Sequence, residues 1–115
     1  MELSQTSAFL LSLAIEGAAA AVLLFATRWS APWRGALAAI AGTCITHPFV
    51  WHGVNAFADR WGYWSAVAVA EILAVVVEAI VWKFVAGLDW PRALVGALVA
   101  NAASFGFGMA IYVLM

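Results

Sequence analysis

Hydrophobic positions dominate the chain in four blocks, near residues 5–27, 33–54, 63–85 and 92–114, with short polar breaks between them. Each block is long enough to cross a hydrocarbon core of ~30 Å as an α-helix. The expected fold is therefore all-α: an integral membrane protein with four transmembrane helices, forming one domain over residues 1–115. The breaks read Arg28-Trp29-Ser30-Ala31-Pro32, then Asn55 to Gly62, then Ala86-Gly87-Leu88-Asp89-Trp90-Pro91. Pro32 and Pro91 stand where helix starts accept proline, and Asp89 is positioned to cap the fourth helix. All seven tryptophans (29, 33, 51, 61, 64, 82 and 90) fall at the ends of the spans, as interfacial aromatic belts do.

Polar positions inside the blocks are few, and their depths agree. Glu71 and Glu78 stand seven residues apart in the third span, within about 20° of one another on a helix and about 10.5 Å apart along it. Every other face of that helix is aliphatic or aromatic. At about 1.5 Å of rise per residue, Glu16 and Cys44 lie at the midplane, with Asn101 and Ser104 within ~3 Å. His47 and Glu71 fall ~4.5 Å to one side, and Glu78 ~6 Å to the other. One polar layer drawn from all four helices is expected, with Glu16, His47, Glu71, Glu78, Asn101 and Ser104 as its members. An ionised carboxylate at such a depth costs about 2.5–3.5 kcal/mol, so three in so short a chain point beyond a purely structural role.

The neighbours of these residues carry their own expectations. Pro48 removes a hydrogen bond from the carbonyl of Cys44, so a kink is expected beside His47. His47 reads either as a functional group or as a neutral imidazole bonded to a glutamate or to backbone. Cys44 reads as a small buried packing residue, and His52 as a solvated one. Glycine and alanine after Glu16, and the rows Gly96-Ala100-Ser104-Gly108 and Ala102-Gly106-Ala110, are packing faces. Lys83 is a poor intrahelical partner for Glu78 and is expected to reach the headgroups.

A repeat is also legible. Trp33, Ala36, Leu37, Cys44 and His47 pair with Trp90, Ala93, Leu94, Asn101 and Ser104, each 57 positions on (Trp33 to Trp90). Each half would be a helix with a mid-span glutamate followed by a helix with a polar pair, a parallel 2+2 arrangement. Chance matching of alanine and leucine is the alternative in so apolar a chain.

Composition narrows the function classes. The chain is 67% hydrophobic and 10% charged, with mean hydropathy +1.02 and net charge −1. With no basic run, nucleic acid is not an expected partner. The single cysteine excludes an internal disulfide, and no zinc-ligand spacing is present. Met1–Ser7 holds no Lys or Arg, so a cleavable signal peptide is not expected. Arg28, Arg34, Lys83 and Arg92 flank the first and third breaks, against Arg60 alone in the second. That bias puts the first and third breaks in the cytoplasm and both termini outside, in what is expected to be a bacterial inner membrane.

Three functional readings remain. The first is a small proton- or cation-coupled transporter or ion-translocating unit that uses Glu16, Glu71 and Glu78. In length, four-helix layout and one glutamate midway along the first helix, the chain resembles the small multidrug-resistance transporters. It lacks their glycine-rich signature on the expected helix, and Glu71 and Glu78 have no counterpart there. The second reading is a non-catalytic accessory or assembly subunit of a larger membrane complex, its polar layer joining helices. The third makes His47 an axial ligand of a haem or chlorophyll-type pigment, although no facing histidine lies at matching depth. No enzyme motif is present, so no catalysis is expected. The bilayer, and either further copies of the chain or a larger complex, are the expected partners.

Overall fold

Helix boundaries follow the local chemistry of each break. The computed structural model describes residues 5–114, and four helices account for nearly all of them: α1 Gln5–Thr27, α2 Pro32–Trp61, α3 Tyr63–Ala86 and α4 Trp90–Leu114. α1 stops at Arg28, which takes a left-handed φ of 59°. The Arg28 N–H returns to the Leu24 carbonyl at 2.8 Å, while the Thr27 hydroxyl donates to Leu23 and accepts from the Trp29 N–H. Pro32 opens α2 at a position that has no use for an N–H. α3 ends at Gly87 (φ 70°), a left-handed position natural to glycine. Asp89 caps α4 as expected, its carboxylate accepting the Arg92 N–H at 3.0 Å.

Three helices are long and apolar enough to cross a membrane: α1, α3 and α4. α2 is longer than any of them, at 30 residues, but Thr43, Thr46, His47, Pro48 and His52 dilute its apolar character. Its helix continues through Pro48. The second break is shorter than expected. Residues 55–61 are helical, and the chain turns at Gly62 alone (φ 84°). Nothing in Asn-Ala-Phe-Ala-Asp-Arg-Trp breaks a helix, and two contacts one turn apart reinforce it. Asn55 donates to the Trp51 carbonyl at 2.8 Å, and Phe57 stacks on Trp61 at 4.7 Å.

The helices pack as a ring. α2 lies between α1 and α3, α4 closes the ring between α3 and α1, and the diagonal pairs barely touch. The two short connections, 28–31 and 87–89, lie together at one end, here the loop end; Gly62 and the terminal helix ends lie at the other, the turn end. The core sits at the loop end. Leu24 and Trp82 are fully buried there among Ala20, Ala38, Ala79, Ala86, Ala93 and Ala97. Two glycines make this closeness possible. A Cβ on Gly35 would lie 2.6 Å from Leu24, and one on Gly96 would lie 2.5 Å from the Trp82 ring. Arg34 then fastens α2 to the end of α3, its Nε donating to the Val85 carbonyl at 2.9 Å.

Two side-chain expectations are corrected here. Trp82 is no belt residue: it is 0% exposed, because Gly96 and the surrounding alanines leave a slot its own size. Cys44 is exposed on the outer surface of the bundle, since the buried face of α2 runs through Gly42, Thr43 and Thr46 instead. Trp33, Trp61, Trp64 and Trp90 are exposed as belt residues would be, whereas Trp29 packs half-buried against the core and Trp51 stacks on His47. Lys83 lies over the Phe84 and Trp90 rings, at 5.7 and 5.1 Å.

Candidate functional site

Where the tight core ends, the four helices enclose a polar cavity of about 80 Å³. Helical spacing delivers its lining. α1 contributes Ser12 and Glu16; α2 contributes Thr43, Thr46, His47 and Val50. α3 contributes Glu71, Ala74 and Glu78, and α4 contributes Asn101, Ser104 and Phe105. Each set falls at steps of three or four residues, or seven across two turns, and so occupies one helical face. All six residues singled out from the sequence meet here. At roughly 10–15 Å³ of such space per molecule, the cavity has room for several waters.

The three carboxyls are served unequally. Glu78 is 1% exposed and collects every donor in reach. Asn101 Nδ2 donates to its Oε2 at 3.1 Å, while Thr43 and Thr46 donate to Oε1 and Oε2 at 3.5 Å. Gly42 lets α2 approach that closely, for a Cβ there would lie 2.8 Å from Glu78 Cγ. Glu78 thereby links α3 to both α2 and α4. The second Asn101 N–H goes to the Ala97 carbonyl at 2.8 Å, which leaves the amide no further donor.

Glu16 and Glu71 fare differently. Glu16 is 4% exposed, and the Thr43 hydroxyl stands between it and Glu78, with one proton to serve both carboxyls. Among the described residues no hydrogen bond reaches Glu71, which is half-buried. No Lys or Arg lines the cavity. The site is therefore rich in acceptors and poor in donors.

Ser104 donates to Ser12 at 3.2 Å and joins α4 to α1 across the cavity. His47 lies against the Phe9 ring at 5.1 Å and stacks on Trp51 at 6.0 Å. Its Nε2 is buried without a partner, so it bonds neither a glutamate nor backbone through that atom. A haem or pigment ring does not fit at this histidine. Aromatic rings occupy its flanks, and the cavity is well below the roughly 300–1,000 Å³ of ordinary ligand pockets. Among the described residues no three His, Cys, Asp or Glu side chains converge on a common metal position.

No family model matches the chain, and no curated protein or solved structure matches it either.

Three polar lining residues were not singled out from the sequence: Ser12, Thr43 and Thr46. The signal for the threonines was present. Thr43, Thr46, His47 and Val50 follow a helical spacing, and Thr43 replaces the neighbouring Cys44 as the polar group at that depth. Hydropathy alone ranks threonine close to neutral and so passes over it.

Proposed function

We propose that all four helices cross the bilayer and that the cavity is the proton- or cation-exchange site of a small membrane transporter. One observation carries this reading: among the described residues no donor reaches Glu71 and Glu16 has only the Thr43 hydroxyl it shares with Glu78, whereas Glu78 is also served by Thr46 and Asn101. A bundle that needed carboxyls only to join helices would bond all of them, because an unserved polar group at membrane depth is expensive. Unserved carboxyls are what a proton or a cation can occupy in turn. α2 crosses as the fourth span because it lies between two helices apolar enough to do so and shelters its polar face among them. Both termini are outside, in a bacterial inner membrane, since Arg28, Arg34, Lys83 and Arg92 share the loop end.

A duplicated architecture is part of the proposal, in a register of 58 and not 57. That shift (Thr43 to Asn101) pairs Thr46 with Ser104 and Gly35, Ala38, Ala39 and Gly42 with Ala93, Gly96, Ala97 and Ala100, all eight of them buried. The register of 57 instead pairs exposed Cys44 with Asn101. In that register Glu16 falls opposite Ala74, one helical turn before Glu78, so the two mid-span glutamates match in helix but not in position.

The bonding of Glu78 favours a second reading, an accessory subunit of a larger complex or a homo-oligomer in which the polar layer only holds helices together. Cation-driven proton flux into proteoliposomes separates the two. Glu16→Gln and Glu71→Gln each abolish flux in an exchanger while the thermal midpoint stays unchanged, because an amide keeps the hydrogen-bonding capacity of a neutral carboxyl. Full flux in the triple variant, with Glu78→Gln added, leaves only the scaffold.

A further inference from the structure

The two connections at the loop end, with the helix ends beside them, hold Arg28, Arg34, Lys83 and Arg92 against one carboxylate, Asp89. Three of these cations follow one another across the connections. Arg34 donates from Nε to the Val85 carbonyl at 2.9 Å, and its outer nitrogens lie over Gly87, 3.3 and 3.5 Å from where a Cβ would be. Two residues further on, Asp89 stands 3.9 Å from the Arg92 Nε. The Arg92 guanidinium in turn lies 5.5 Å from the ring of Trp29, the neighbour of Arg28 in sequence. Asp89 already accepts the Arg92 backbone N–H. Among the described residues, nothing accepts a hydrogen bond from the outer nitrogens of Arg34 or from the Arg28 guanidinium.

We infer that the loop end binds the headgroup phosphate of an anionic phospholipid, with Arg34 as the positioned donor and Arg28 and Arg92 as neighbouring charges. This rests on the membrane-spanning part of the proposed reading and is independent of the exchange site. Charge complementarity selects a phosphate. Four cations meet one carboxylate, and the planar fork of a guanidinium matches two phosphate oxygens at once. The Val85 carbonyl holds that fork in place beforehand, so little ordering is left to binding. Orientation by positive charge needs only a count of Lys and Arg, and it does not account for a guanidinium fixed on a carbonyl and a glycine. The surroundings select a lipid over a soluble phosphate. Phe25 stands one turn before Arg28, Trp33 beside Arg34 and Trp90 two residues before Arg92, and all three rings are more than half exposed. Acyl chains therefore find apolar surface next to the charges that hold their headgroup.

Titration of the detergent-solubilised protein with phosphatidylglycerol, with phosphatidylcholine of the same chains and with glycerol phosphate tests this inference, bound ligand being counted by native mass spectrometry. Phosphatidylglycerol binds about tenfold tighter than phosphatidylcholine, and glycerol phosphate leaves no bound species at the same concentration. Arg28→Gln changes a side chain that bonds nothing else in the described bundle, so the fold is kept, and it lowers the preference about fivefold. Arg34→Lys keeps the charge, loses the fork and also lowers the preference, whereas Arg60→Gln at the turn end leaves it unchanged. Equal binding of the two lipids, or a preference that survives either Arg28→Gln or Arg34→Lys in full, overturns the inference. Binding of glycerol phosphate as tight as that of phosphatidylglycerol overturns the choice of a lipid. A separate outcome concerns the membrane reading itself: a protein that an alkaline wash strips from vesicles of both lipids does not span them.

Discussion

The loop end and the turn end of this bundle use glycine in opposite ways. At the loop end Gly35 and Gly96 exist because a neighbour occupies the space a side chain would need, Leu24 in one case and Trp82 in the other. At the turn end Gly53, Gly106 and Gly108 face open space. The loop end is closed by an alanine-walled slot around Trp82, by the Arg34–Val85 hydrogen bond and by the Asp89 cap. Beyond it the helices part around a polar cavity and an apolar groove. Lipid tails are as apolar as any core side chain, so close van der Waals fit is the main source of helix association in a membrane. The tight end therefore supplies the cohesion, and the parted region is free to keep unserved carboxyls.

Substitutions at the two ends sharpen or break that contrast. The largest effect is expected for Trp82→Ala, about 3 kcal/mol of lost stability. This is the lower edge of the range for buried aromatics, because lipid removes part of the transfer term but not the cavity term. Trp64→Ala, 62% exposed, should leave the thermal midpoint in detergent where it was. Equal losses at the two tryptophans would mean that the slot is not the source of cohesion. Next, Gly96→Ala drives a methyl into the Trp82 ring and should cost about 1–3 kcal/mol. Gly106→Ala meets nothing and should hold or raise stability by up to about 1 kcal/mol, as alanine is the better helix former. Asn101→Ala removes one interhelical donor from Glu78 and should cost only about 0.6 kcal/mol in a chemical denaturation series. A loss several times larger would assign Glu78 the main structural role and weaken the contrast.

Much of this was legible in the sequence, for identifiable reasons. Four blocks of apolar residues gave four helices because nothing between the breaks interrupts them. Asp89 and Pro32 marked helix starts through local backbone chemistry that needs no tertiary information. The six polar residues met because depth in a helix is a simple count at fixed rise. What depended on rotation about the helix axis was less accessible. Cys44 and Thr43 are adjacent in sequence and nearly equal in depth, yet only Thr43 faces the cavity. Trp82 lies at a span end like the other tryptophans, and its burial follows from Gly96 on a different helix. The continuation of α2 to Trp61 was hidden by polar residues that favour a loop but do not require one. The unequal service of the glutamates depends on which side chains of neighbouring helices come within reach of each carboxyl, and no spacing rule contains that.

Proton release on cation binding tests the central claim most directly. Purified protein in weakly buffered detergent solution, with a pH indicator, is mixed in turn with sodium, potassium and methylammonium chloride. If Glu16 and Glu71 are the exchange groups, wild type releases protons on binding at least one of these cations. The Glu16→Gln/Glu71→Gln double variant then releases none, at an unchanged thermal midpoint. No release from wild type with any of the three cations, or the same release from the double variant, would contradict the claim.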